Sequence, residues 1–183
     1  MSEKNTLIRS MHDVGLAAWF GGSLMGAVGL NGATAQASDP TERLQLSSTG
    51  WARWAPVNAA AIGVHAVGGL GLIIANRGRV AGQPGARANT LAKAALTVAA
   101  VGLTVYSGKL GRDVNENSQQ GGEGATEPHD GASAELATAQ QRLQTIQWAI
   151  PAVTGALVIL GAQQGEQQRP QSLLRAQATR LRS

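Results

Sequence analysis

The sequence predicts an all-α protein of the membrane: a bundle of four spans, with short amphipathic helices in the first outer connector and in the C-terminal tail. Three observations predict it. Four blocks of the 183 residues are long, apolar and nearly free of charge. Charged residues make up only 14% of the chain, well below the usual quarter, and collect in polar Gln-, Glu- and Gly-rich connectors between the blocks. Lys and Arg divide unequally between alternate connectors, as they do across a bilayer. The apolar content, 43%, would by itself suit a soluble domain, but one Phe and one Tyr leave little for a conventional aromatic core. The chain contains no cysteine, which excludes disulfides and thiolate metal sites. Its length fits a single transmembrane domain over residues 1–162 and a basic tail over 163–183.

The first block, Val14–Leu30, reads VGLAAWFGGSLMGAVGL, 17 residues without a charge. A hydrocarbon core of about 30 Å needs roughly 20 residues at about 1.5 Å each, so the span is placed at 11–31. Its glycines would each cost about 1 kcal/mol in a water-exposed helix. In lipid they let a neighbouring helix approach closely, and Gly22-Ser-Leu-Met-Gly26 is a G-x-x-x-G pattern of that kind. Ala35-Gln-Ala37 resembles a signal-peptide cleavage site, but the apolar run exceeds the usual 7–15 residues, so a retained span is expected.

Asp39-Pro-Thr-Glu42 has the residues of a helix start: an N-cap, a proline at the first position and an early acid. A short helix over 40–47 is expected, with Trp51 and Trp54 as interface anchors before span two at 57–75. Gly68 and Gly69 continue the close-packing theme there. A basic connector from Arg77 to Lys93 leads, through a turn at Gln83-Pro-Gly85, to span three at 91–107. That span carries Tyr106 as its far-side anchor. Residues 115–131 hold Ser, Gln, Gly and Glu and almost nothing apolar, and a flexible outer loop is expected. Helix four begins near Ser133, passes the interfacial Trp148 and spans 145–162, with Pro151 as a kink or first-turn proline. The tail carries Arg169, Arg175, Arg180 and Arg182, suited to anionic lipid headgroups, and a basic surface helix is expected over 172–182.

Positive charge sets the orientation. With both termini and the middle connector on the cytoplasmic side of the cell membrane, ten of the 15 Lys and Arg residues face inward. The bilayer is then the first partner, and a homo-oligomer or a larger membrane complex the next. The tail adjoins a span and lacks interleaved aromatics, so nucleic acid is not expected.

His65 is the one titratable side chain near the middle of a span, where ionisable groups are costly and often functional. Its structural reading is a neutral imidazole bonded to a neighbouring helix; its functional reading is a metal, haem or quinone contact or a proton relay. His12 shares a face of span one with Trp19. Placed at the inner boundary, His12 stands about 15 Å from the expected depth of His65, so joint haem ligation by the pair is not expected. His129 belongs to the outer loop and is expected to be solvated. Apart from Asp13 at the edge of the first, where it suits the helix start or a pair with Arg9, no acid lies inside a span, which counts against an ion-coupled exporter. No P-loop, H-E-x-x-H, G-x-S-x-G or Cys/His cluster is present. No catalytic residue, metal site or cofactor is assigned.

HDVGLAAWFGGSLMGAVGLNGA, GWARWAPVNAAAIG and IQWAIPAVTGALVIL followed by GEQQRP resemble a family of actinobacterial four-span membrane proteins of unknown function. The resemblance implies a cell-membrane protein and no particular activity. His12, Trp19, Gly21 and Gly22 are also similar to the first helix of copper-resistance-D-like membrane domains over about ten residues, too short a match to carry copper handling across. The leading expectation is a non-enzymatic scaffold or accessory subunit. The alternatives are a histidine-dependent redox, metal or haem protein, and a small-solute transporter or channel with a polar path past Asn58, His65, Thr97 or Gln147.

Overall fold

The computed structural model describes residues 3–167, and these are all-helical, with no strand among them. Helix α1 (Glu3–Met25) continues through a π-helical turn, Gly26–Leu30, into a last α-turn, Asn31–Thr34. Helix α2 (Pro40–Ala75) is followed by the two-turn α3 (Arg77–Gly82), then α4 (Pro84–Glu116), a 3₁₀ turn (Ser118–Gln120) and α5 (Ala134–Gln167). Four helices (α1, α2, α4 and α5) are long and apolar enough to cross a membrane. The basic tail arginines and the expected helix over 172–182 lie outside the described residues.

The helices outrun the expected spans. The Asp39 carboxylate accepts from the Thr41 N–H at 2.8 Å and starts α2 as the sequence implies. Residues 40–47 are then the opening turns of one 36-residue helix and not a separate short one. Pro56 and Pro151 both lie inside continuous helices. At about 1.5 Å per residue α2 and α4 are about 50 Å long, well beyond the hydrocarbon core. The basic connector is likewise mostly helical, Pro84 opening α4 where a turn was expected.

In the bundle α1 packs along α2 and α5, and α5 along α4, so the ring closes between α2 and α4, its loosest seam. One apolar cluster joins Leu16, Trp19, Ala100, Ile150 and Leu157. A second, from Leu44, Leu110, Val114, Leu136, Ala139 and Leu143, joins the projecting ends of α2, α4 and α5.

The 115–131 connector differs most from expectation. It folds as a cap on that second cluster, with Gly121, Gly122, Ala125 and Thr126 buried. Polar side chains from the helices hold its backbone: Arg43 donates to the carbonyls of Gly122 (3.3 Å) and Glu123 (3.2 Å), and Gln140 to that of Gly124 (3.1 Å). His129 is part of the cap, with Nε2 donating to the Gln120 carbonyl at 2.8 Å and Nδ1 accepting from the Gly131 N–H at 2.9 Å. Gly121 turns the chain at φ 76°, a conformation only glycine adopts freely.

Candidate functional site

The α1–α2 contact positions every polar group of interest. Glycines on one helix receive bulk from the other in an antiparallel register. A Cβ at Gly22 would overlap the Trp54 indole and one at Gly26 the Trp51 indole. Gly15 faces the Ala61 carbonyl and the His65 backbone, and Gly68 lies against the backbone of Ile8 and His12. Gly69 stands beside the His12 ring. Trp51 and Trp54 therefore lay their rings over α1, whereas Trp148 and Tyr106 are exposed on the outer surface of the bundle.

This register corrects the depth assigned to His12. Helix α1 starts at Glu3, so His12 lies three turns along it and meets His65 directly: the ring centroids are 4.3 Å apart. The expected separation of about 15 Å assumed that Met11 and Ala75 mark one membrane plane; the register pairs Ile8 with Gly71 instead. His65 Nδ1 donates to the His12 carbonyl at 3.0 Å, since a carbonyl can only accept, and His12 Nδ1 donates to Asp13 Oδ1 at 2.8 Å. Lys93 of α4 is within electrostatic reach of Asp13, Arg9 and His65. Both imidazoles thus keep only Nε2 uncommitted. Two imidazoles across one haem iron need ring centroids about 6 Å apart, so rings in van der Waals contact do not flank a haem. No group of three or more His, Cys, Asp or Glu suited to a metal occurs among the described residues.

Trp19, wholly buried, separates this inner cluster from the outer half. Its ring meets His65 edge-on at 6.3 Å, and its Nε1–H donates to Thr104 Oγ1 at 3.2 Å. With Leu16, Ala100, Ile150 and Leu157 around it, Trp19 forms a dry layer across the bundle.

Beyond it, between α2 and α4, lies a cleft of about 600 Å³. Thr104 and Ile150 line it at the level of the dry layer, Asn58 and Gln147 contribute amides, and Arg112 and Ala125 lie toward the cap. Exposed Ala52 and Ala55 of α2 and Gly108 and Arg112 of α4 rim an opening on the side of the bundle. Trp54 Nε1 and Asn58 Oδ1 are buried with no hydrogen-bond partner among the described residues. Leaving such a group unpaired costs about 1–3 kcal/mol. Next to the cleft, Asn31 is engaged at both ends of its amide: Oδ1 accepts from Ser47 Oγ (3.2 Å) and Trp51 Nε1 (3.0 Å), and Nδ2 donates to Gln147 Oε1 at 2.6 Å.

No family model, curated protein or solved structure matches the chain. Geometry alone therefore ranks the residues. Asn31 and Thr104 escape composition-based reading because each matters only through the register, which also turns Trp54 and Asn58, read as an interface anchor and a polar-path residue, into an orphaned pair. The available signal was the alternation of glycine on α1 with tryptophan and histidine on α2, which fixes that register.

Proposed function

We propose that the chain is a multi-pass protein of the cell membrane, both termini cytoplasmic, acting without catalysis as a scaffold or accessory subunit. One observation carries the reading. Large apolar side chains point outward along all four long helices, among them Val14, Ile74, Val98 and Ile159, and only 6% of the apolar window of α4 is buried inside the bundle. Water would not tolerate that surface on a monomer; lipid or a membrane partner covers it. His12, Asp13 and His65 hold one another and the backbone, as structural groups do. The bilayer is the first partner, a second copy or a larger complex the next, with anionic headgroups meeting the basic tail.

Purification in mild detergent tests the reading: an assembly larger than the 18.8 kDa chain, without stoichiometric metal or a visible chromophore, is expected. The His12–His65 contact favours a second reading, a histidine-dependent redox or metal function through the two Nε2 atoms. A stoichiometric metal lost in His65→Ala would establish it and overturn the first.

A further inference from the structure

We propose that the cleft between α2 and α4 binds an uncharged, hydroxyl-bearing amphiphile, an acylglycerol-type lipid, that enters sideways from the bilayer. The proposal rests on the membrane reading above.

Four observations select this occupant. The opening lies on the side of the bundle, rimmed by exposed Ala52, Ala55, Gly108 and Arg112 just beyond the expected spans 57–75 and 91–107, so a guest arrives from the interfacial layer of the bilayer, where lipid headgroups lie. The volume, about 600 Å³, is that of a small-molecule site and exceeds what a few ordered waters fill. Inside, the unpartnered groups are one donor, Trp54 Nε1–H, and one acceptor, Asn58 Oδ1, the latter on a residue only 9% exposed. Trp54 and Asn58 are four residues apart and therefore share one face of α2. A hydroxyl has the chemistry to complement either group, accepting from an indole N–H or donating to an amide oxygen. No charged side chain lines the depth of the cleft; Arg112, the one cation on its wall, is exposed at the rim, so an uncharged head suits the interior. The apolar remainder of the guest lies against Ile150, Leu143 and the indole faces.

The full chain in phosphatidylcholine nanodiscs, a lipid without hydroxyl donors, provides the test. The probe is a monoacylglycerol with a photoreactive diazirine in its acyl chain, beside the same probe with both hydroxyls methylated. Cross-links are expected on α2 and α4 residues of the cleft, competed by plain monoacylglycerol, and about tenfold weaker for the methylated probe. Asn58→Leu and Trp54→Phe should each weaken labelling by a similar factor, about tenfold. Trp54→Phe keeps an aromatic ring over Gly22 and guards against a folding defect in the other variant. Equal labelling by the two probes, equal labelling of variants and wild type, or cross-links confined to the outer face around Val98 would each overturn the proposal. A cleft that holds water alone gives the first or last of these results. Stable incorporation into the nanodiscs is scored separately, so loss of the ligand does not count against the membrane reading.

Discussion

Gly15 and Gly21 lie on the same helix, six residues apart, and the same substitution should act on them in opposite directions. Gly→Ala in a helix gains up to about 1 kcal/mol from backbone entropy wherever the methyl group has space. At Gly21 nothing stands within 4 Å of an added Cβ, so this gain is the whole effect. At Gly15 the new carbon would lie 2.5 Å from the Ala61 carbonyl oxygen and 2.6 Å from the His65 nitrogen. Those are backbone atoms and cannot swing aside, and ordinary contact begins near 3.4 Å, so α1 and α2 must part by about 1 Å. Overpacking of this kind costs about 1–3 kcal/mol, and the same shift lengthens the bond from His65 to the His12 carbonyl. Gly15→Ala is therefore expected to be destabilising by about 1–2 kcal/mol and Gly21→Ala to be neutral or stabilising. In thermal unfolding followed by circular dichroism in mild detergent, about 2–4 °C per kcal/mol separates the two melting points. Equal melting points, or a stabilised Gly15→Ala, would refute the close approach of α1 and α2.

The remaining expectations use other parts of the bundle. Asn31→Ala removes the acceptor of Ser47 and Trp51 and the donor to Gln147, and should cost about 2–4 kcal/mol in the same melting assay; a wild-type melting point would show the hub to be idle. Arg43→Ala releases the carbonyls of Ala37, Gly122 and Glu123, so amide exchange across residues 121–127 should rise about tenfold with little change in global melting. Unchanged exchange there would mean that the cap holds without Arg43. A periplasmic-type phosphatase fused after Gly122 should be active and a cytoplasmic reporter silent, because the charge count puts the cap outside. The reverse pattern would overturn the orientation.

The four long helices were legible because each contains a long apolar, nearly uncharged run such as Val14–Leu30. Their outer ends were not. Residues 40–50 and 110–116 bury a narrow stripe, through Leu44, Ser47, Leu110 and Val114, and most of the remaining side chains, Leu46 excepted, are polar or small. The cap was hidden for a different reason. It is held by side chains donating to its backbone carbonyls, Arg43 and Gln140 above all, and composition does not record who bonds a backbone. The pairing of His12 with His65 was missed through one geometric assumption, that apolar runs on neighbouring helices end in a common plane. The glycine positions contained the better ruler, since a helix pair in close contact sets Gly22 under Trp54 and Gly26 under Trp51.

The most direct measurement uses the absence of native cysteine. Val98, 71% exposed on α4, and Gln119, exposed in the cap, are each replaced by cysteine and treated with a membrane-impermeant maleimide in native membranes. If lipid covers the outer face of the bundle, Gln119→Cys reacts at once, whereas Val98→Cys stays unlabelled until the membrane is dissolved and the protein unfolded. Rapid labelling of Val98→Cys in the intact membrane fraction, or recovery of the chain in the soluble fraction, would contradict it.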